Sequence, residues 1–289
     1  MGRHKQNKGA AGFESFYESL YGSRWPTLRE ALTGATVSLT LRLDKGRPYY
    51  LDPASALAAL ALDVSGASSI VDLCAAPGGK SLVIASQLSE SARLICNERS
   101  SARRARLHRV LDEHLPADRR AHVTVTGHDA TKWALHRPAS AERVLADVPC
   151  SSEQHVLQSP GALAEWSPSR TKRLAQGAYA IACAAADTLL SAGRMVYSTC
   201  ALSPTENDEV VRRVIARANG GLLAAATADA VHAAWATIAH DEAFGMPEQS
   251  RAEFGEACPG EATEYGWMIM PDRDRGMGPI YLAILTKAA

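Results

Sequence analysis

The chain has 289 residues, 46% of them hydrophobic and 21% charged, with a formal net charge of zero. That is the composition of a globular protein with a substantial core, in one large domain or two small ones. No apolar run is long enough to cross a bilayer, the basic start MGRHKQNKGAAG has no apolar stretch behind it to make a secretory signal, and six scattered cysteines without a CxxC pair indicate neither a metal site nor a disulfide framework. Reduced thiols in a cytosol-like compartment are therefore expected.

In chain order, FESFYESLYGSRWPTLREAL carries apolar residues at helical spacing, with a break at Pro26, and YLDPASALAALAL (50–62) reads as a helix capped by Asp52 with Pro53 in its first turn. Residues 1–62 are thus expected as a helical N-terminal extension, and 63–289 as the main domain. The period then changes. SSIVDL (68–73) is a short apolar strand followed by the small-residue loop CAAPGG, a helix over 80–88, a strand at ARLIC (92–96) and an arginine-rich helix from about 100 to 114. HVTVT (122–126) and RVLADV (143–148) read as strands. Ser167-Pro168 starts a helix expected to run to about Leu190 and to end at Gly193, before the strand RMVYS (194–198). Ser203-Pro204-Thr205-Glu206 has the pattern of a capping box opening another helix. Residues 225–264 have no clean period and read as loops with a short helix, and GWMIM (266–270) and IYLAIL (280–285) as a closing strand pair.

Strands alternating with helices imply an α/β, doubly wound (Rossmann-like) sheet of about seven strands. Ligands of such sheets bind beyond the carboxyl ends of the strands. Those positions are Cys74 to Lys80, Asn97 and Glu98, His128 and Asp129, Asp147 to Cys150, and Tyr197 to Cys200.

The loop DLCAAPGGK lets backbone approach a ligand closely, but the GxGxxG of nicotinamide-cofactor proteins is absent. Glu98 is placed to accept from ribose hydroxyls and Asp129 from an adenine amino group, which suits a nucleoside better than a dinucleotide. If the strands before DVPC and YSTC are neighbours, Asp147, Cys150 and Cys200 surround one pocket. Two thiols and a carboxylate without histidine suit attack on a pyrimidine. A thiolate adds to carbon 6, a carboxyl serves N3, and carbon 5 becomes nucleophilic. Spacing alone does not choose which thiol attacks.

At these residues the chain resembles the Sun/NSUN (RsmB-like) family of RNA cytosine-5 methyltransferases. DLCAAPGGK, DVPC and YSTC followed by ALSPTENDEVV carry the resemblance, and WPTLREAL, HDATKW, DVPCSSEQH and GMGPIYLAIL are similar to its short mitochondrial branch, which methylates ribosomal or transfer RNA. The resemblance implies the seven-stranded sheet of S-adenosyl-L-methionine-dependent methyltransferases. It implies that Cys74, Ala75, Ala76, Pro77, Gly78, Gly79, Lys80 and Ser81, with Glu98, Arg103, Asp129, Ala130 and Asp147, hold that cofactor. It also implies that Cys200 attacks, that Cys150 assists release, and that Asp147 and Lys80 complete the catalytic set. Glu98 stands where this branch often has Asp, and only about sixty residues precede the catalytic fold, where the family usually carries an RNA-binding module. The implied partners are RNA, ribosomal before transfer, and a protein that helps to bind it. A cytoplasmic monomer, or a mitochondrial one in a eukaryote, is expected, without a metal or membrane. Arg99, Arg103, Arg104, Arg106 and Arg109 on one helix, with Arg170, Lys172 and Arg173 on another, are the candidate RNA face, whereas acidic residues gather over 241–264.

Overall fold

A computed structural model describes residues 8–43, 47–225, 227–245 and 258–289. The chain opens with helices α1 (Gly9–Tyr21) and α2 (Trp25–Thr33), joined by a single 3₁₀ turn. Pro26 stands in the first turn of α2, where its missing N–H costs nothing, so the chain pauses before it and restarts. Strands β1 (Leu39–Leu41) and β2 (Tyr49–Leu51) follow, then α3 (Pro53–Leu60). The alternation runs on through β3 (Ser69–Asp72), α4 (Gly79–Ser86), β4 (Arg93–Asn97) and α5 (Ser101–His114), then α6 (Ala117–Arg120) and β5 (Val123–Thr126). Next come α7 (Trp133–His136), β6 (Ala141–Asp147), α8 (Glu153–Gln158), α9 (Pro160–Ala164), α10 (Pro168–Thr188) and β7 (Leu189–Thr199). The described chain ends with α11 (Asp208–Ala218), β8 (Leu222–Ala224), α12 (Thr227–His240), β9 (Phe244–Gly245), β10 (Glu261–Ala262), β11 (Trp267–Ile269) and β12 (Ile280–Lys287).

Among the described residues the main sheet has nine strands, in the order β10-β11-β12-β7-β6-β3-β4-β5 with β8 pairing β12. From β7 to β5 every pair is parallel; β12 joins β7 antiparallel, and β11 and β10 continue that edge. Five parallel strands and the closing antiparallel pair make the expected seven. The two additions, β8 and β10, are edge strands of three and two residues, too short to leave a periodic signal.

Side chains alternate across the sheet and build two cores. Ile70, Leu145, Val196, Leu282 and Ile284 face α3, α4, α5 and α12. Their neighbours Val71, Val144, Ala146, Tyr197 and Ala283 face α1, α2, α10 and α11. The N-terminal segment covers both faces, because α1 and α2 belong to one core and α3 to the other.

Four local expectations are corrected. The segment before residue 62 is not all helical: β1 pairs with β2 on one side and β9 on the other in a separate three-stranded sheet. Val37-Ser38-Leu39-Thr40-Leu41-Arg42-Leu43 alternates with period two, and Leu39 and Leu41 are buried as that period requires. Second, Gly193 does not end α10. The helix stops at Thr188, and Leu190 to Gly193 bulge out opposite Glu142, between the pairs Ala141–Leu189 and Arg143–Arg194. A Cβ on Gly193 would stand 2.8 Å from the Leu190 carbonyl, so the bulge needs glycine there. Third, the capping box does not form. α11 begins at Asp208, the Ser203 hydroxyl is buried without a partner, and Glu206 is engaged elsewhere. Fourth, the region from 225 holds the fourteen-residue helix α12. The acidic stretch over 241–264 lies largely outside the described residues.

Asp52 caps α3 as its sequence position indicates, accepting from the amides of Ala54 at 2.7 Å and Ser55 at 3.3 Å. It also accepts from the Gly278 amide at 3.0 Å, tying the N-terminal segment to the loop before β12. Asp52→Ala should lower stability by about 2–3 kcal/mol, a lost cap plus an unpaired amide, measured by urea unfolding. Asp52→Asn should recover at least half of that loss.

Candidate active site

The parallel ladder of β6 and β7 ends with Asp147 opposite Ser198. The loops leaving those ends carry Cys150 and Cys200, whose sulfurs stand 3.0 Å apart. Ser152, at φ 51°, reaches back so that its Oγ is 3.1 Å from the Cys200 sulfur and 3.5 Å from that of Cys150. The hydrogen bond from Cys150 pulls the Cys200 thiol below its ordinary value, burial opposes this, and Ser152 adds to the pull. The same hydrogen bond, and then burial, pushes Cys150 well up. The pair is asymmetric: Cys200 is the thiol that gives up its proton more readily and Cys150 the one that keeps it.

Lys80, at the start of α4, sits with Nζ 3.0 Å from Asp147 Oδ2, and the Ser198 hydroxyl donates to Asp147 Oδ1 at 2.8 Å. Burial works against the Lys80 ammonium, but the charge and hydrogen bond of Asp147 outweigh it and hold the group protonated. Behind this pair, Asp72 is buried and accepts from the Ser81 hydroxyl at 2.6 Å. Burial pushes its carboxyl up to about 7.

A pocket of 240 Å³ opens over the ends of β3, β4 and β5 and reaches Pro149, next to Cys150. Glu98, Arg103 and Asp129 share its wall with apolar Leu73, Leu174 and Ile181. Glu98 accepts from the Ser100 amide at 2.8 Å, and its other oxygen lies 3.3 Å from Arg103. Arg103 also donates to the Ala76 carbonyl at 2.7 Å, so it straps the loop after β3 to the end of β4. Asp129 caps a 3₁₀ turn through the Thr131 amide and hydroxyl, and its second oxygen is 3.5 Å from Arg99.

Cys74 and buried Ala130 line the same pocket. Ala75 and Ala76 are buried in the loop, and Pro77 is exposed at its tip. Gly78, at φ +122°, leaves no room for a side chain, since a Cβ would meet Val110 of α5 at 2.9 Å; one on Gly79 would meet the Tyr49 ring at the same distance. Ser81 turns inward to Asp72. A larger cavity of 520 Å³ between α3, α4 and α12 holds neither thiol and none of these pocket residues.

Of the candidate RNA-binding cations, Arg170 is already engaged: it donates to the Ser151 carbonyl at 2.9 Å. Lys172 and Arg173 are exposed, and Arg173 lines the pocket rim.

The sequence reading missed Asp72, Ser152 and Glu153 as site residues, and gave Glu206 only a capping role. Asp72 carried a signal, being an acid at the end of an otherwise apolar strand. Glu206 carried the signal of a capping box and Glu153 none; only the tertiary fold shows both fully buried.

Residues 59–251 match the 16S rRNA methyltransferase RsmB/F family. A 5-cytosine rRNA methyltransferase, NSUN4, of Xenopus laevis is 36% identical over 171 residues, covering 58% of this chain and 42% of that protein. A mitochondrial tRNA (cytosine(34)-C(5))-methyltransferase of Danio rerio is 36% identical over 243 residues, covering 83% of this chain and 60% of that protein. The chain thus spans less than two thirds of the length of these relatives. The crystal structure of NSun6 from Pyrococcus horikoshii with SFG superposes with a TM-score of 0.61 at 23% identity, covering 85% of this chain and 54% of that one, which shows a shared fold. With more than half of its length inside the family match, the chain belongs to the 16S rRNA methyltransferase RsmB/F family.

Proposed function

We propose that this protein transfers a methyl group from S-adenosyl-L-methionine to carbon 5 of a cytosine in RNA, with Cys200 as the attacking thiol. The observation that carries the reading is the asymmetric thiol pair beside the Lys80–Asp147 ion pair. The pocket's chemistry suits the cofactor's nucleoside: Glu98 offers a carboxylate for ribose hydroxyls, Asp129 one for the adenine amino group, and apolar walls lie between. When bound, S-adenosylmethionine supplies an electrophilic methyl group.

The chain's own residues do the rest. Cytosine carbon 5 is a poor nucleophile until carbon 6 is attacked. The Cys200 thiolate adds to carbon 6 as N3 takes a proton from the Lys80–Asp147 pair, in which the ammonium carries the proton and the carboxylate, held by Lys80 and Ser198, relays it. After methylation N3 returns its proton to the Lys80–Asp147 pair, water takes the carbon 5 proton, and the electron pair of the broken C–H bond expels Cys200. Cys150, the protonated partner at 3.0 Å, returns a hydrogen bond to the departing sulfur.

Ribosomal RNA is the first substrate choice, following the name of the family. Transfer RNA is the second reading, favoured by the longer match to the Danio rerio protein. That name also extends the proposed location from the cytosol to the mitochondrion. With a net charge of zero there is little long-range pull on a polyanion, so the reading has a monomer that shares RNA binding with a partner protein. Bisulfite mapping of 5-methylcytosine in cells lacking the protein tests both the reaction and the RNA; unchanged methylation of ribosomal and transfer RNA would refute it.

The two thiols should fail differently. Cys200→Ala should give neither product nor a covalent complex with labelled RNA. Cys150→Ala should methylate and then stall, leaving an adduct that survives a denaturing gel. The reverse pattern would exchange the roles.

Glu98→Ala should weaken S-adenosylmethionine by about 1.5–3 kcal/mol, the worth of a hydrogen bond to a charged group, in calorimetry. Unchanged affinity would leave Glu98 as no more than the anchor for Arg103.

Replacing Lys172 and Arg173 together should lower the salt slope of RNA binding by about 1.5–2, two phosphate contacts' worth. Arg170 adds nothing to that number if the Ser151 carbonyl occupies it.

A further inference from the structure

Beneath the two thiols lies a polar cluster that the proposed reaction does not use. Ser151 follows Cys150, and its Oγ hydrogen-bonds both the Glu153 and the Glu206 carboxylates. All three residues are fully buried. A serine hydroxyl has one proton and can donate to one of them only. The other contact requires a carboxylic acid donating to Oγ. Glu153 already accepts from the Tyr17 hydroxyl and, at 3.0 Å, from the Leu202 amide, so it is the ionised member. Glu206 Oε2 accepts from the Ser151 amide at 2.9 Å, which leaves Oε1 to carry the proton.

We propose that Glu206, Ser151 and Glu153 form a positioning lock in which one proton, retained on Glu206, holds the Cys150 loop against the Cys200 loop. The chain of donation runs from Glu206 to Ser151 to Glu153. Ser151 to Glu206 crosses between the segment after β6 and the segment after β7, and the Leu202 amide crosses back to Glu153. The thiols sit one and two residues from these contacts, so the lock sets the separation of their sulfurs. The inference rests on the roles given to the two thiols above.

The surrounding groups agree with one retained proton. Tyr17 and Tyr21 of α1 face the cluster as neutral phenols, and Tyr21 donates to the Leu202 carbonyl at 2.7 Å. Tyr197 of β7 donates to the Glu206 carbonyl at 2.5 Å. Arg170 of α10 is the cation facing Glu206, and its guanidinium is taken up by the Ser151 carbonyl. Burial, and then the charge of Glu153, push Glu206 up to about 7, while Ser151 and Arg170 pull the other way. Burial also raises Glu153.

The sign of the pH effect follows. Glu206 binds its proton more tightly folded than unfolded. Its stabilising contribution is complete below its ordinary value of 4.5 and is lost as pH rises through about 7. Glu206→Gln removes that titration and keeps a neutral donor for Ser151.

The test compares wild type with Glu206→Gln, Glu206→Ala and Ser151→Ala. Thermal midpoints taken from about pH 5 to about pH 8 should diverge, with wild type falling relative to Glu206→Gln. At about pH 6.5, Glu206→Gln should keep kcat within about twofold of wild type, and Ser151→Ala and Glu206→Ala should lose up to about 100-fold in kcat at unchanged KM for RNA. Parallel thermal profiles would show that no proton is retained. A Glu206→Gln protein as impaired as Glu206→Ala would show that the charge is what matters, and full kcat in Ser151→Ala would remove the hydroxyl from the lock; each result overturns the proposal. Should Glu206→Ala fail to fold, the other two variants decide. The thermal profiles need no RNA, so diverging profiles in a protein that methylates nothing would support the lock and retire the functional reading alone.

Discussion

The in-register parallel pairing of β6 with β7 is the constraint on which the site depends. Asp147 faces Ser198 across the last rung of that ladder, and each strand then releases a loop with a cysteine. Neighbouring strands lie about 4.8 Å apart, so two loops leaving the same end are already within reach of one another. What remains is to bring sulfur to sulfur at 3.0 Å, and the buried serine and carboxylates beneath do this. A shift of one residue in the ladder would turn Asp147 to the other face and away from Lys80.

The same arrangement gives chemically identical groups different properties. Two thiols side by side cannot both donate one hydrogen bond, so one becomes donor and the other acceptor. Ser152 supplies a second hydroxyl contact to the Cys200 sulfur at 3.1 Å, closer than its 3.5 Å to Cys150, and this tips the balance. The two buried glutamates repeat the logic: Glu153 has three donors and keeps its charge, while Glu206 has the Ser151 amide and keeps its proton. In both pairs the count of donors, more than the residue type, decides which member gives up its proton more readily.

Much of this was legible in the amino-acid order. The runs SSIVDL, ARLIC, HVTVT, RVLADV and RMVYS all become parallel strands of the main sheet; the inner ones are mostly apolar because both their faces are covered, and HVTVT, at the edge, alternates. Asp52 was readable as a cap because capping is local. Positions just past strand ends named Lys80, Glu98, Asp129, Asp147 and both thiols, and the structure gathers them along one edge of the sheet. The failures lie where a distant partner overrides local preference. Ser203 and Glu206 have the spacing of a capping box, yet Glu206 points to Ser151, 55 residues away. Gly193 looked like a helix stop, but its small size serves the close approach of Leu190 within a bulge.

The N-terminal segment shows how a region remote from the chemistry can still bear on it. Tyr17 of α1 belongs to the aromatic cluster with Phe13, Trp25 and Trp166, its ring 4.6 Å from that of Phe13. Its hydroxyl, at the far end of that ring, reaches Glu153 inside the thiol-bearing loops. The apolar body is fixed by packing, so the polar tip arrives in one place and costs little further entropy. Removing α1 would therefore take a donor from Glu153 as well as apolar area from the core. With fewer donors, Glu153 would compete with Glu206 for the proton, and the difference between the two carboxyls would narrow. The helical lead-in and the thiol-bearing loops are thus coupled through the hydroxyls of Tyr17 and Tyr21, and the integrity of one is a condition for the geometry of the other.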